Sequence, residues 1–149
     1  MTRALAIALL ALAASDAGAQ RERDDDYDAP TDTGVELVAG LWHDDVLRPG
    51  AGWHLYHFTA TETGHVAFQM RAPVDHPTVW SYLRIVDGAR SWASVGNRKT
   101  NLCELIIPVV RGKRYGVIAT SQDTASLALG QHQTTDGPYT IAALPVVVP

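Results

Sequence analysis

Residues 62–71 read Glu-Thr-Gly-His-Val-Ala-Phe-Gln-Met-Arg. On an extended chain Val66, Phe68 and Met70 point one way, and His65, Ala67, Gln69 and Arg71 point the other. That two-residue period, entered through the Glu62-Thr-Gly64 turn, is the pattern of a strand with one buried face. No helical period is sustained elsewhere, so the alternation sets the expected fold class as all-β.

The same reading extends both ways along the 149-residue chain. Upstream, Trp53–Ala60 is a strand with Tyr56, Phe58 and Ala60 on one face, behind an Arg48-Pro-Gly-Ala-Gly52 turn. Glu36–Trp42 is expected as the first strand. Downstream, strands are expected at Trp80–Val86, Arg90–Val95, Leu102–Val110, Arg114–Thr120 and Tyr139–Leu144. Asp87-Gly88, Gly96-Asn97, Arg111-Gly-Lys113 and Asp136-Gly-Pro138 break them, and a short further pairing is expected at Ser126–Leu129. Pro108 bends or ends its ladder. About eight short antiparallel strands in a domain of this size imply two packed sheets, a jelly-roll-like sandwich. A closed barrel is the alternative architecture.

The organisation is expected in three parts. Residues 1–19 read as an export signal: a basic Thr2-Arg3 start, an apolar Ala4–Ala14 run, and Ala17-Gly-Ala19 before the cut. That run is too short to span a bilayer, so no membrane insertion is expected once it is removed. Residues 20–33 are an acidic flexible linker, carrying Arg21 and Arg23 against Glu22, Asp24, Asp25, Asp26, Asp28 and Asp32. Residues 34–149 form the sandwich, with nine basic and nine acidic residues. A neutral body without a basic stripe argues against nucleic acid. The expected location is the periplasm or the cell exterior.

Candidate chemistry is sparse. Cys103 is the sole cysteine, set in a strand beside Glu104, which fits a small buried residue better than a reactive thiol. His54 and His57 are three apart, on opposite faces of a strand. His43, Asp44 and Asp45 cluster in sequence, but no ligand spacing for zinc accompanies them. Calcium is the cofactor the residues allow, on Asp24, Asp25, Asp26, Asp28 and Asp32, because it accepts irregular oxygen shells. Ser121, Asp123, His132 and Asp136 fall around one loop, yet no strained turn presents a nucleophile. The strongest binding feature is aromatic. With Leu83 and Ile85 inward, Trp80 and Tyr82 share the opposite face, and Trp92 on the next strand is expected to join them in a platform. The competing reading seats Trp80 and Trp92 under loops at the ends of the sandwich.

The order of segments resembles the bacterial pre-peptidase C-terminal domain family. The resemblance is carried by Trp53-His-Leu-Tyr-His-Phe58 with Glu62-Thr-Gly-His-Val-Ala-Phe68, by Val110-Arg-Gly-Lys-Arg-Tyr-Gly-Val117, and by Asp136-Gly-Pro-Tyr-Thr-Ile141. The chain departs from the family in having Val79-Trp-Ser81 where an acidic residue often stands. The resemblance implies a non-catalytic module of secreted proteins that engages a polysaccharide or a protein, and calcium in some members. A structural or chaperone-like accessory to a secreted peptidase is the second expectation, and a small hydrolase the third.

Overall fold

The computed structural model describes residues 30–48, 52–75, 79–121 and 137–147. They form β1 (Thr31–Glu36), β2 (Trp42–Leu47), β3 (Trp53–Thr59), β4 (Gly64–Arg71), β5 (Ser81–Asp87), β6 (Arg90–Val95), β7 (Leu102–Val109), β8 (Arg114–Ser121) and β9 (Gly137–Val146). The strands make a five-stranded sheet, ordered β1-β3-β8-β5-β6, and a four-stranded sheet, ordered β2-β9-β4-β7. All pairings are antiparallel except β1 with β3. No helix among the described residues is long and apolar enough to cross a membrane.

Alternation builds the core from both sheets. Tyr56, Phe58, Leu83, Ile85, Tyr115 and Val117 face inward from one sheet; Phe68, Met70, Ile107, Tyr139 and Ile141 do so from the other. Phe58 and Phe68 meet edge to face across the interior, centroids 5.4 Å apart. Burying each such side chain stabilises the fold by about 1.5–3 kcal/mol. Pro108 lies in β7, an edge strand, where its missing N–H interrupts no ladder. The Asp87-Gly88 turn joins β5 and β6, as expected.

The N-terminal end of the sandwich differs from the expectation. The predicted strand Glu36–Trp42 is two strands joined by a crossing segment. Leu37 N–H donates to His57 O on one sheet and Gly40 N–H to Ala143 O on the other, at 2.7 and 2.9 Å. Gly40, at φ 83°, makes the turn between them, a conformation that costs a side chain dearly. Thr31–Thr33, expected as linker, belong to β1. Polar contacts hold them: Thr33 Oγ1 donates to Leu55 O at 2.9 Å, and Gly34 N–H donates to Asp32 Oδ1 at 2.9 Å. Hydropathy does not register such contacts, so the strand was hidden in an acidic stretch. The signal reading of residues 1–19, linker residues 20–29 and the Ser126–Leu129 pairing lie outside the described residues.

Candidate functional site

The outer face of the five-stranded sheet is built in rows across its strands. Trp53, Thr120, Tyr82 and Val95 make one row; Leu55, Ile118, Arg84 and Ala93 the next; His57, Gly116, Val86 and Ser91 the third. Trp53 and Tyr82 stand two strands apart and meet edge to face, centroids 5.9 Å apart. Thr120, between them, is fully buried. In the third row a Cβ on Gly116 would meet Val86 Cγ2 at 2.7 Å and Leu55 Cδ1 at 3.3 Å. The missing side chain therefore lets Leu55 and Val86 close over the sheet. The result is an apolar, partly exposed surface with an aromatic pair at one end. Arg84 stands within it, in the middle row, and its edge carries the Arg114–Glu36 pair at 3.3 Å and His57 Nε2 at 3.0 Å from Asp32 Oδ1.

Only part of the expected platform assembles there. Tyr82 is on the outer face, half-buried. Trp80 precedes β5; its indole Nε1–H donates to Gly96 O at 2.8 Å and the Arg98 guanidinium covers its ring at 4.6 Å. Trp92 does not join them. It sits opposite Ile85, faces inward and packs against the core, with Arg90 over its ring. The two-residue turn pairs Asp87 with Arg90, so counting back along the hairpin puts Trp92 beside an inward residue. Trp53 takes its place in the aromatic surface. The alternation of Trp53 with Tyr56 and Phe58 marks it as outward; its approach to Tyr82 depends on β8 lying between β3 and β5.

At one end of the interior, four polar side chains link the two sheets. Tyr56 hydrogen-bonds both Asp45 and Tyr139, and His54 Nδ1 lies 2.7 Å from the Tyr139 hydroxyl. A carboxylate only accepts, which fixes the direction of the chain. Tyr56 donates to Asp45, Tyr139 donates to Tyr56, and His54 donates through Nδ1–H to Tyr139. Neutral His54 is thereby held as the Nδ1–H tautomer. Burial would raise the Asp45 carboxyl, but the bonds from Tyr56 and Val46 N–H, with His54 and His43 nearby, hold it below its ordinary value. Burial above all, with the neighbouring Tyr139 and Asp45, pushes the Tyr56 phenol well up; burial does the same for Tyr139. Asp45 and Tyr139 also line a pocket of about 460 Å³, with Asp44, Val46, Arg71, Ala72, Pro73, Pro138 and Thr140.

The remaining candidates are placed as follows. His54 is buried and His57 faces outward, on opposite sides of β3 as expected. Cys103 is fully buried and its thiol donates to Ser94 O at 3.0 Å; burial, with Glu104 beside it, pushes its pKa up. Ser121 is fully buried and accepts from Trp80 N–H, which removes it as an accessible nucleophile; Asp123, His132 and Asp136 lie outside the described residues. Asp32 sits at the exposed edge of β1. The bond from Gly34 N–H, then that from His57, holds its carboxyl below the ordinary value. Asp24, Asp25, Asp26 and Asp28 lie outside the described residues. Among those described, no group of three or more His, Cys, Asp or Glu is placed to hold a metal ion.

No protein-family model matches the chain. No curated protein sequence matches it either. Solved structures do. One is the pre-peptidase C-terminal domain of collagenase from Bacillus anthracis, with a TM-score of 0.55 and 11% identity, covering 78% of this chain and 97% of that one. The fold is that of the pre-peptidase C-terminal domain, a two-sheet β-sandwich.

Proposed function

We propose that this chain is an exported, non-catalytic binding module that engages a polysaccharide or a protein through the outer face of its five-stranded sheet. The observation behind this reading is the Trp53–Tyr82 pair, set beside Leu55, Val86 and Val95 on a surface framed by charge. Aromatic faces stack on sugar rings or apolar side chains, and a polar rim orients what they hold. The similar solved domain comes from a collagenase, which supports an accessory role beside a secreted enzyme. Export is supported by the basic, apolar and small-residue order of residues 1–19.

The test is a screen against glycan and fibrous-protein arrays, comparing the natural chain with Trp53→Ala/Tyr82→Ala. The double variant should lose at least tenfold in affinity for whatever the natural chain retains, with an unchanged circular dichroism spectrum. Equal retention by both would refute the assignment. Calcium belongs to the same proposal: an ion held by Asp24, Asp25, Asp26, Asp28 and Asp32 would tie the leader to the edge strand on which Asp32 sits. Calcium should then raise the melting temperature and a chelator lower it; no change in either direction would remove calcium from the account.

A further inference from the structure

The pocket at the end of the four-stranded sheet holds charges of both signs that do not meet. Asp44, Thr140 and Arg71 are register partners across β2, β9 and β4, so they form one row on one face. With neighbouring strands about 4.8 Å apart, the backbones of Asp44 and Arg71 are separated by about 10 Å. Among the described residues neither enters an ion pair. The Arg71 guanidinium lies over the Trp42 ring instead, 5.7 Å from its centroid. Asp45, next along β2, points to the opposite face, where Val46 N–H at 2.7 Å and the Tyr56 hydroxyl hold it, which leaves Asp44 as the carboxylate of this row. Val46 and Pro138, register partners two residues further along β2 and β9, supply apolar wall beside this row together with Pro73.

We propose that this pocket binds a free α-amino acid with an apolar side chain. The carboxylate pairs with Arg71, whose planar fork suits a bidentate contact. The ammonium pairs with Asp44, on the same face as Arg71. The side chain packs on Val46, Pro73 and Pro138. A molecule carrying one charge of each sign spans the gap that separates the fixed charges, and a single-charged molecule leaves one of them unpaired. The volume of about 460 Å³ falls within the range of small-molecule sites, about 300–1,000 Å³. The pocket is on the sheet opposite the aromatic surface, so this proposal stands apart from the function proposed above.

Calorimetric titration of the full chain with L-valine, L-leucine, L-proline and L-phenylalanine tests it, with L-leucinamide and N-acetyl-L-leucine as probes that each lack one charge. At least one of the four should bind, and both leucine derivatives should bind at least tenfold more weakly than leucine. Arg71→Gln and Asp44→Asn, at exposed positions, should each lower affinity at least tenfold while the melting temperature holds. Binding by none of the four amino acids, equal binding of the blocked derivatives, or unchanged affinity in both variants would overturn the proposal.

Discussion

Tyr56 and Asn101 show how single residues carry more than hydropathy assigns them. Tyr56 is fully buried, yet its hydroxyl links the five-stranded sheet to Asp45 and Tyr139, register partners on the four-stranded sheet. Tyr56→Phe removes the hydroxyl donor to Asp45 and the bond to Tyr139, so it should cost about 1–3 kcal/mol in urea unfolding although the ring volume is kept. Asn101 occupies the left-handed region at φ 50°, which asparagine tolerates better than most residues. Its side chain accepts from Ser81 N–H at 2.9 Å and donates to Val79 O at 2.7 Å and Pro73 O at 3.1 Å. Asn101→Gly keeps the backbone conformation and removes all three bonds; the expected loss is about 3 kcal/mol or more, larger than for Tyr56→Phe. The acid limb of stability is set by carboxylates. Asp45 is held below 3.8, and so is Asp87, chiefly by the Lys113 ammonium 3.0 Å away. Their contributions are complete above the unfolded value and are lost as pH falls through the lower folded values. Asp45→Asn should therefore flatten the fall of the unfolding free energy below about pH 4 without abolishing it, because Asp87 remains.

At the scale of strands, legibility in the sequence followed burial. β4 alternates clearly because one face packs against Phe58 and its neighbours, and β3, β5 and β9 could be read for the same reason. β1 could not, because it pairs in parallel through threonine and aspartate contacts and carries only one half-buried valine, Val35. A chain beginning at Gly34 would uncover the edge of β3. It should melt at a lower temperature and scatter more light than one beginning at Pro30. Equal behaviour would show β1 to be dispensable. Trp92 failed as a platform residue for a different reason: its identity was read ahead of its register, which the hairpin turn alone determines. Trp53 needed more, since strand order cannot be read from local pattern. Gly116 belongs to this scale as well. Gly116→Ala drives a methyl into Val86 and Leu55, with an expected cost of about 1–3 kcal/mol in thermal unfolding.

At the scale of the whole molecule, the described residues offer two surfaces of different chemistry, one on each sheet. The five-stranded sheet presents aromatic and aliphatic side chains outward; the four-stranded sheet presents separated charges around a pocket. Both depend on strand order, which brings together residues distant in sequence: Trp53 with Tyr82, and Asp44 with Arg71. The fold class and the inward residues were legible because the alternation repeats locally; the strand break expected at Asp136-Gly-Pro138 was not there, since Gly137 and Pro138 open β9 and pair with Leu47 and Val46. The two surfaces were not legible, because they are properties of how the sheets are assembled. Hydroxyl-radical footprinting, with and without a polysaccharide or protein recovered from the array screen, tests the central claim most directly. The account predicts that the bound ligand protects Trp53 and Tyr82 from oxidation and leaves Trp42, on the opposite sheet, unchanged. Protection of Trp42 with Trp53 and Tyr82 still reactive would contradict it.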